Sequence, residues 1–499
     1  MLLNALLANR NKKIYQSTLK FKVKFNLMKQ IIIFIFSISF STLFYNQQIG
    51  LNLSILSVLS IIVLIISNSN KFKNKTTLIY TLIYLITGVL VFMQHTNLSI
   101  LANIIAFITL VGCVTESKSS IYVQWYNGIY SSIAGYLHKR FLKHNTKEKG
   151  TERKKIDVFH LSKLIGIPLV FIIGFIVLYK NGNPVFNEII SKINFDFINM
   201  QWLLFTALGY HLFSNINNPV KVESATNLDL QTGNTLHQTN KFSAEALKKE
   251  KQLGTTLLFF LNILIVFYLI TDVISLNTIN STHASVLSSQ VHSGINTLIA
   301  SIIIAIVIIL YFFRGNLNFY EGNKTLKVLS FIWIFLNAIL IFLIAAKNYN
   351  YIISFGLTYK RIGVNIYLFL TFIGLITTFL KVSKIKNLWF LFRINTRIAF
   401  VLLILFSIVN WDSYITKYNI NYAQSLDLSY LINLSDNNAI LLNEYRESTN
   451  LSSEQNNKIY IKHRNYINTI KNRNWQEYTY SNIKLKATSN KTISNAYSR

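Results

Sequence analysis

An all-α fold is predicted: a polytopic transmembrane helix bundle of about eleven spans, followed by a small, mainly helical C-terminal domain. Three observations predict it. Apolar runs recur at lengths near the ~20 residues a helix needs to cross a bilayer. Of 499 residues 52% are hydrophobic, with a mean hydropathy of +0.37. The loops between the runs alternate between basic and nearly base-free. The runs are continuous rather than alternating, which argues against a transmembrane β-barrel.

A basic N-terminus, residues 1–30, leads into four spans at 31–45, 51–67, 76–93 and 98–115. No small-residue cleavage site follows the first apolar stretch, so it is expected to be a span rather than a signal peptide. Residues 116–163 are too polar to cross. Within them Ile121, Trp125, Ile129, Ile133 and Leu137 recur every four residues, with Tyr126 and Tyr130 alongside, and a basic run from His138 to Lys155 follows. This pattern fits an interfacial helix at the cytoplasmic leaflet. Trp125, Lys139, Arg140 and Lys143 would then meet anionic lipid headgroups over 121–155, at ~1 kcal/mol per base. A helix packed on other loops fits equally well.

Seven further spans, 164–180, 200–214, 255–272, 296–313, 328–346, 362–382 and 396–410, make a core of residues 164–410. Its cytoplasmic loop, 215–254, is polar and without periodicity over 218–250, and is expected to be mobile. The weakest span is 200–214, which contains Gln201 and His211. Removing it would place the base-free loop 273–295 inside and the lysine-bearing loop outside, so it is expected to cross. In the tail, 411–499, Ile459, His463, Tyr466, Ile467 and Ile470 share one helical stripe, and Ser435 is placed to cap a shorter helix carrying Ile440, Leu441 and Leu442.

With the N-terminus inside, segments 1–29, 68–75, 116–163, 215–254, 314–327 and 381–395 carry 7, 3, 10, 5, 3 and 4 Lys plus Arg. The outer loops 46–50, 94–97, 181–199, 273–295 and 347–361 carry 0, 0, 1, 0 and 3. This positive-inside asymmetry predicts a multi-pass protein of the inner (plasma) membrane, N-terminus cytoplasmic and C-terminal domain extracytoplasmic. The net charge of +30 would suggest nucleic acid in a soluble chain. Here most bases flank spans and no readout motif accompanies them, so no nucleic-acid partner is expected.

Ionisable groups gather near the outer span ends. Asp272 ends one span, His283 and His292 follow it, Lys347, Lys360 and Arg361 flank the next outer loop, and Asp412 ends the last span. They allow an outer-face polar cluster of His292, Lys360, Arg361 and Asp412, in which Asp412 pairs with one of the two bases. The plainer alternative is that each is a separate headgroup anchor. His283 and His292 match no helical metal motif, and the single cysteine, Cys113, allows neither an intrachain disulfide nor a cysteine metal site. His211 reads as a satisfied core histidine rather than a proton relay. The in-span amides Asn262, Asn337 and Asn365 read as helix-packing hydrogen bonds rather than substrate contacts. No phosphate loop, nucleophile elbow or metalloprotease motif is present, so no catalytic residue, metal or cofactor is assigned.

Three blocks, QVHSGINTLIASIIIAIVIILYFFRG (290–315), FGLTYKRIGVNIYLFLTFIGLITTFLKV (355–382) and VNWDSYITKYNI (409–420), resemble the signature of a bacterial family of multi-pass inner-membrane proteins known only as a domain of unknown function. The likeness covers roughly residues 160–440 and marks His292, Gly294, Gly315, Gly356, Tyr359, Lys360, Arg361, Gly363, Trp411 and Asp412. It implies an integral membrane protein and no activity. The leading reading is transport of an unknown solute or ion; the alternatives are a membrane scaffold or sensor whose C-terminal domain meets a protein partner, and an enzyme on a lipid-linked substrate. Membrane glycosyltransferases have a similar outline but need an acidic residue in the first outer loop, and NQQIG has none.

Overall fold

The computed structural model describes residues 27–145, 167–168, 171–172, 174–176, 178–192, 199–239, 243–278 and 284–484. Among these residues it is helical, with one isolated antiparallel bridge between Thr235 and Lys386. The helices are α1 (Leu27–Phe44), α2 (Leu51–Asn68), α3 (Lys75–Gln94), α4 (Asn97–Thr115), α5 (Ile121–Asn145), α6 (Pro184–Lys192), α7 (Met200–Asn217), α8 (Glu223–Gln231), α9 (Ala244–Thr278), α10 (Ala284–Phe312), α11 (Lys324–Phe355), α12 (Tyr359–Ser383), α13 (Leu388–Ser407), α14 (Trp411–Tyr422), α15 (Leu428–Ile432), α16 (Ala439–Ser448) and α17 (Ser453–Lys471).

Nine helices among the described residues are long and apolar enough to cross a membrane: α1 to α4 and α9 to α13. The chain is an integral membrane protein by that measure. Of the eleven expected spans, 200–214 forms the helix α7 but is not among the nine, and 164–180 is described only in part. Several helices outrun the apolar stretches that foretold them. The segment read as a span at 396–410 begins at Leu388 instead, because Asn387 accepts a hydrogen bond from the Phe390 amide and starts the helix ahead of Arg393 and Arg397. The same chemistry starts α12 at Thr358, α14 at Asn410 and α4 at the reciprocal Thr96 and Ser99 cap. An Asn-rich chain supplies caps at the ends of its apolar runs, and the orphan amides there need them.

The chain divides into two compact units, residues 1–47 with 131–220 and residues 48–130 with 221–499. In the first, α1 packs on α7. A Cβ at Gly209 would press on the Phe40 side chain, Phe36 meets Phe213 edge-on at 5.8 Å, and the hydroxyls of Ser41 and Thr206 hydrogen-bond. Here His211 sits beside the Ile133 carbonyl at 3.0 Å, and Asn215 accepts from the Tyr136 amide at 2.7 Å. His211 is exposed rather than in a core, and its Nε2 meets the Ile133 carbonyl and, at 2.9 Å, the Asn215 side-chain amide.

In the second unit, α9 to α12 share a core of Leu258, Ile302, Ile309, Leu326, Ile344, Leu375 and their neighbours. A separate cluster joins the ends of α11 and α12 to the tail, through Ile352, Leu357 and Ile362 against Ile415, Leu431, Leu442 and Ile459. Helix α4 approaches the start of α5 closely: a Cβ at Gly112 would overlap the Gln124 carbonyl, and one at Gly128 the Ile108 carbonyl. On α5 itself Gln124, Asn127 and Ser131 are buried while Tyr126, Ile129, Ile133 and Leu137 are exposed. The buried stripe is the polar one, because Asn127 binds Thr226 and the Val222 amide.

Candidate functional site

Helix α11 ends where Gly356 takes φ +76°, a left-handed value that favours glycine, and three residues later α12 begins. The expected outer loop at 347–361 is therefore mostly helix, and Lys347 lies inside α11. Arg361, in the first turn of α12, folds back over the end of α11. Its Nη1 donates to the Phe355 carbonyl at 2.8 Å and to the Gly356 carbonyl, and its guanidinium lies 4.0 Å from the Tyr351 ring centroid. A cation at the carbonyl end of a helix offsets both the orphan carbonyls and the macrodipole.

Helix α14 grips this turn. Asn419 donates through Nδ2 to the Leu357 carbonyl at 2.9 Å and accepts the Leu357 amide at 2.5 Å. Asp412, 4% exposed, accepts from the Tyr359 hydroxyl at 2.8 Å and from the Ser435 hydroxyl, while the Tyr359 amide donates to the Tyr430 hydroxyl at 2.9 Å. The expected pairing of Asp412 with Lys360 or Arg361 does not form: Arg361 is spent on carbonyls and aromatic faces, and Asp412 is held by hydroxyls. Lys360 is exposed and lines a small pocket with Arg361 and Asn348. The side chain of His292 lies outside the described residues, as do His283 and the side chains of Arg140 and Lys143.

Beside the turn a groove of about 490 Å³ opens between α11, α12, α13 and α14. Tyr349, Phe369, Phe406, Trp411, Tyr414 and Tyr418 give it an aromatic lining, and Asn365 is its one amide. Asn365 accepts from Asn348 at 2.7 Å, and Asn348 also donates to the Arg361 carbonyl. Asn262 donates to the Leu258 carbonyl of its own helix and across to the Leu329 carbonyl, at 2.8 and 3.0 Å, whereas Asn337 donates to the Trp333 carbonyl of its own helix at 2.8 Å.

The same face carries the ends of other helices. His95 contacts the Ile49 carbonyl at 2.9 Å, Asn437 donates to the His95 carbonyl, Asn410 to the Gln94 carbonyl, and the Leu51 amide to Tyr478. Burial and the nearby Arg473 hold the His95 imidazole below its usual pKa. A Cβ at Gly50 would overlap the backbone of Glu477. Thus residues 49–51 and 94–95, the turn at 356–358 and the tail lie together.

The opposite helix ends form a second network that sequence reasoning missed. Arg393 donates to the Asp229 carboxylate at 3.0 and 3.2 Å, to its carbonyl, to the Thr232 carbonyl and to Asn234. Asp229 also accepts from the Ser120 amide at 2.7 Å, the Ser120 hydroxyl and Tyr122. Burial alone would raise the Asp229 pKa, but these donors outweigh it and hold the carboxyl below its usual range. The segment expected to be a mobile loop is thus pinned over α8, and again where the Leu236 amide donates to Ile385. The signal available was Arg393 itself, a charge near a span end that needs a partner. Nearer α5, Trp125 donates to Thr109 at 2.8 Å, and Lys139 reaches the Asn218 carbonyl.

Besides Arg361, two cations within spans have partners there, Lys347 partly buried and Lys381 fully so. Lys347 pairs with Asp272, which also accepts from Tyr268 at 3.2 Å and is 6% exposed. Lys381, 1% exposed, donates to the Phe313 carbonyl at 2.6 Å, at the end of α10.

The family described as a domain of unknown function (DUF4153) matches residues 31–445, a wider reach than the sequence blocks implied. No curated protein and no solved structure matches the chain.

Proposed function

The chain belongs to the DUF4153 family, and from that premise we propose that it is a membrane scaffold or sensor of the bacterial inner membrane, presenting α14–α17 on the extracytoplasmic face to a protein partner. The observation that carries this reading is the grip of Asn419 on Leu357. With Asp412 and the loop contacts beside it, this grip makes the tail a fixed platform rather than a tethered appendage. The base-poor loops sharing its face support the extracytoplasmic placement. The inside-facing apolar stripe of α5 and its following bases support contact with anionic lipid there.

Photoreactive residues placed at Ile461 and Arg464, exposed on α17, test the reading in intact cells. A discrete adduct at both, lost when α14 is released by Asn419→Ala, is expected. No adduct at either position would contradict a partner at this surface.

Transport is the second reading, favoured by the pair of buried Asp272 and partly buried Lys347, since ionisable groups inside spans commonly mark ion pathways. Proton flux in proteoliposomes that falls on Asp272→Asn would support it. Flux equal to that of empty vesicles would remove it.

A further inference from the structure

The aromatic groove has the volume of a small-molecule site, 300–1,000 Å³ being usual, and its walls are the membrane-spanning helices themselves. Its flanks continue into apolar surface: Phe369, Val401 and Leu405 are all about half exposed. A polar solute would find few partners there. The roof is different. Along α14, Trp411, Tyr414 and Tyr418 face the groove, the amphipathic rings that favour a headgroup boundary. Between Tyr414 and Tyr418, Lys417 is exposed and has no ion-pair partner among the described residues. Inside the groove Asn365 uses its oxygen on Asn348, which leaves its amide hydrogens for an acceptor.

We propose that this groove binds one anionic glycerophospholipid, with an acyl chain along Phe369 and Leu402, an ester carbonyl at Asn365 and the phosphate-bearing headgroup at Lys417. Charge complementarity selects this occupant: an apolar slot needs a chain, an amide donor needs a carbonyl, and an exposed ammonium on α14, beside the lining residue Tyr418, needs an anion. The site does not depend on the scaffold reading, since it requires no protein partner.

Trp411 in the groove wall supplies a direct probe. The purified full chain is placed in mixed micelles with phosphatidylglycerol or phosphatidylcholine bearing dibrominated acyl chains, at equal mole fraction. The Trp411 component of fluorescence is taken as the difference from Trp411→Phe. Half-quenching by the brominated phosphatidylglycerol is expected at about fivefold lower lipid than by the phosphatidylcholine, the size of one lysine's attraction to an anionic headgroup. Lys417→Gln, a surface change, should erase that difference, and Leu402→Phe, which fills the slot, should weaken quenching by both lipids. Equal quenching by the two lipids in the unaltered chain would overturn the headgroup assignment. Quenching untouched by Leu402→Phe would overturn the chain assignment. A dimer that shields Trp411 from either lipid would replace the lipid by a second copy.

Discussion

Asn419 holds both backbone groups of Leu357, its amide and its carbonyl, with the two ends of one side chain. Leu357 follows the glycine that terminates α11, so a residue in the tail completes the turn between two membrane helices. Asn419→Ala would leave two buried backbone groups unpaired and should lower stability in detergent by ~2–4 kcal/mol. Gly356→Ala should also destabilise, since φ is +76° and a Cβ would collide with Asn419. Adding Asn419→Ala to Gly356→Ala should then cost less than the sum, because the collision is gone. Strict additivity in thermal unfolding would mean that the two residues do not touch.

Asp412 and Arg361 stand near the same turn on separate partners. Asp412→Asn and Arg361→Gln should therefore combine additively, within ~0.5 kcal/mol, when membrane abundance and unfolding in detergent are measured. A double variant more stable than either single one would restore the ion pair that the sequence suggested.

Asp229 and Arg393 should behave in the opposite way. Both side chains are largely buried, at 4% and 16% exposure, so removing one partner strands the other at a cost of ~3–5 kcal/mol, and the double change should be milder. The Asp229 carboxyl is held below its unfolded value of ~3.9, so its contribution is complete above that pH and is lost as pH falls through the depressed value. Asp229→Asn should accordingly flatten the acid limb of the stability curve and leave its slope between pH 6 and 8, a range of about two units, unchanged.

Much of this architecture is legible in the chain because a bilayer imposes a simple rule: apolar helix between polar ends. Span alternation puts 46–50, 94–97 and 347–361 on one face, and Gly50, Gln94, His95 and Leu357 each approach the tail. What is not legible depends on three-dimensional approach. Lys347 and Asp272 read as separate groups at span ends, yet α11 continues past the apolar run and brings them together. Nothing in the spacing of Asp229 and Arg393, which are 164 residues apart, announces their contact. Asn419 is one asparagine among many, and only the left-handed turn at Gly356 gives it a task. Of the signature positions, Tyr359 and Asp412 fasten the tail to the α11–α12 turn, Gly356 makes that turn, and Arg361 caps the end of α11.

The proposed platform requires the tail and the base-poor loops to occupy the extracytoplasmic face. Cys113 is buried, so in a Cys113→Ser background single cysteines can be introduced at Tyr480, exposed in the tail, and at Lys118, exposed on the opposite helix ends. Intact cells are treated with a membrane-impermeant thiol reagent. Labelling at Tyr480→Cys without permeabilisation, with Lys118→Cys labelled only after it, is the predicted result. Labelling of Lys118→Cys in intact cells with Tyr480→Cys protected would contradict the orientation and, with it, the proposed platform.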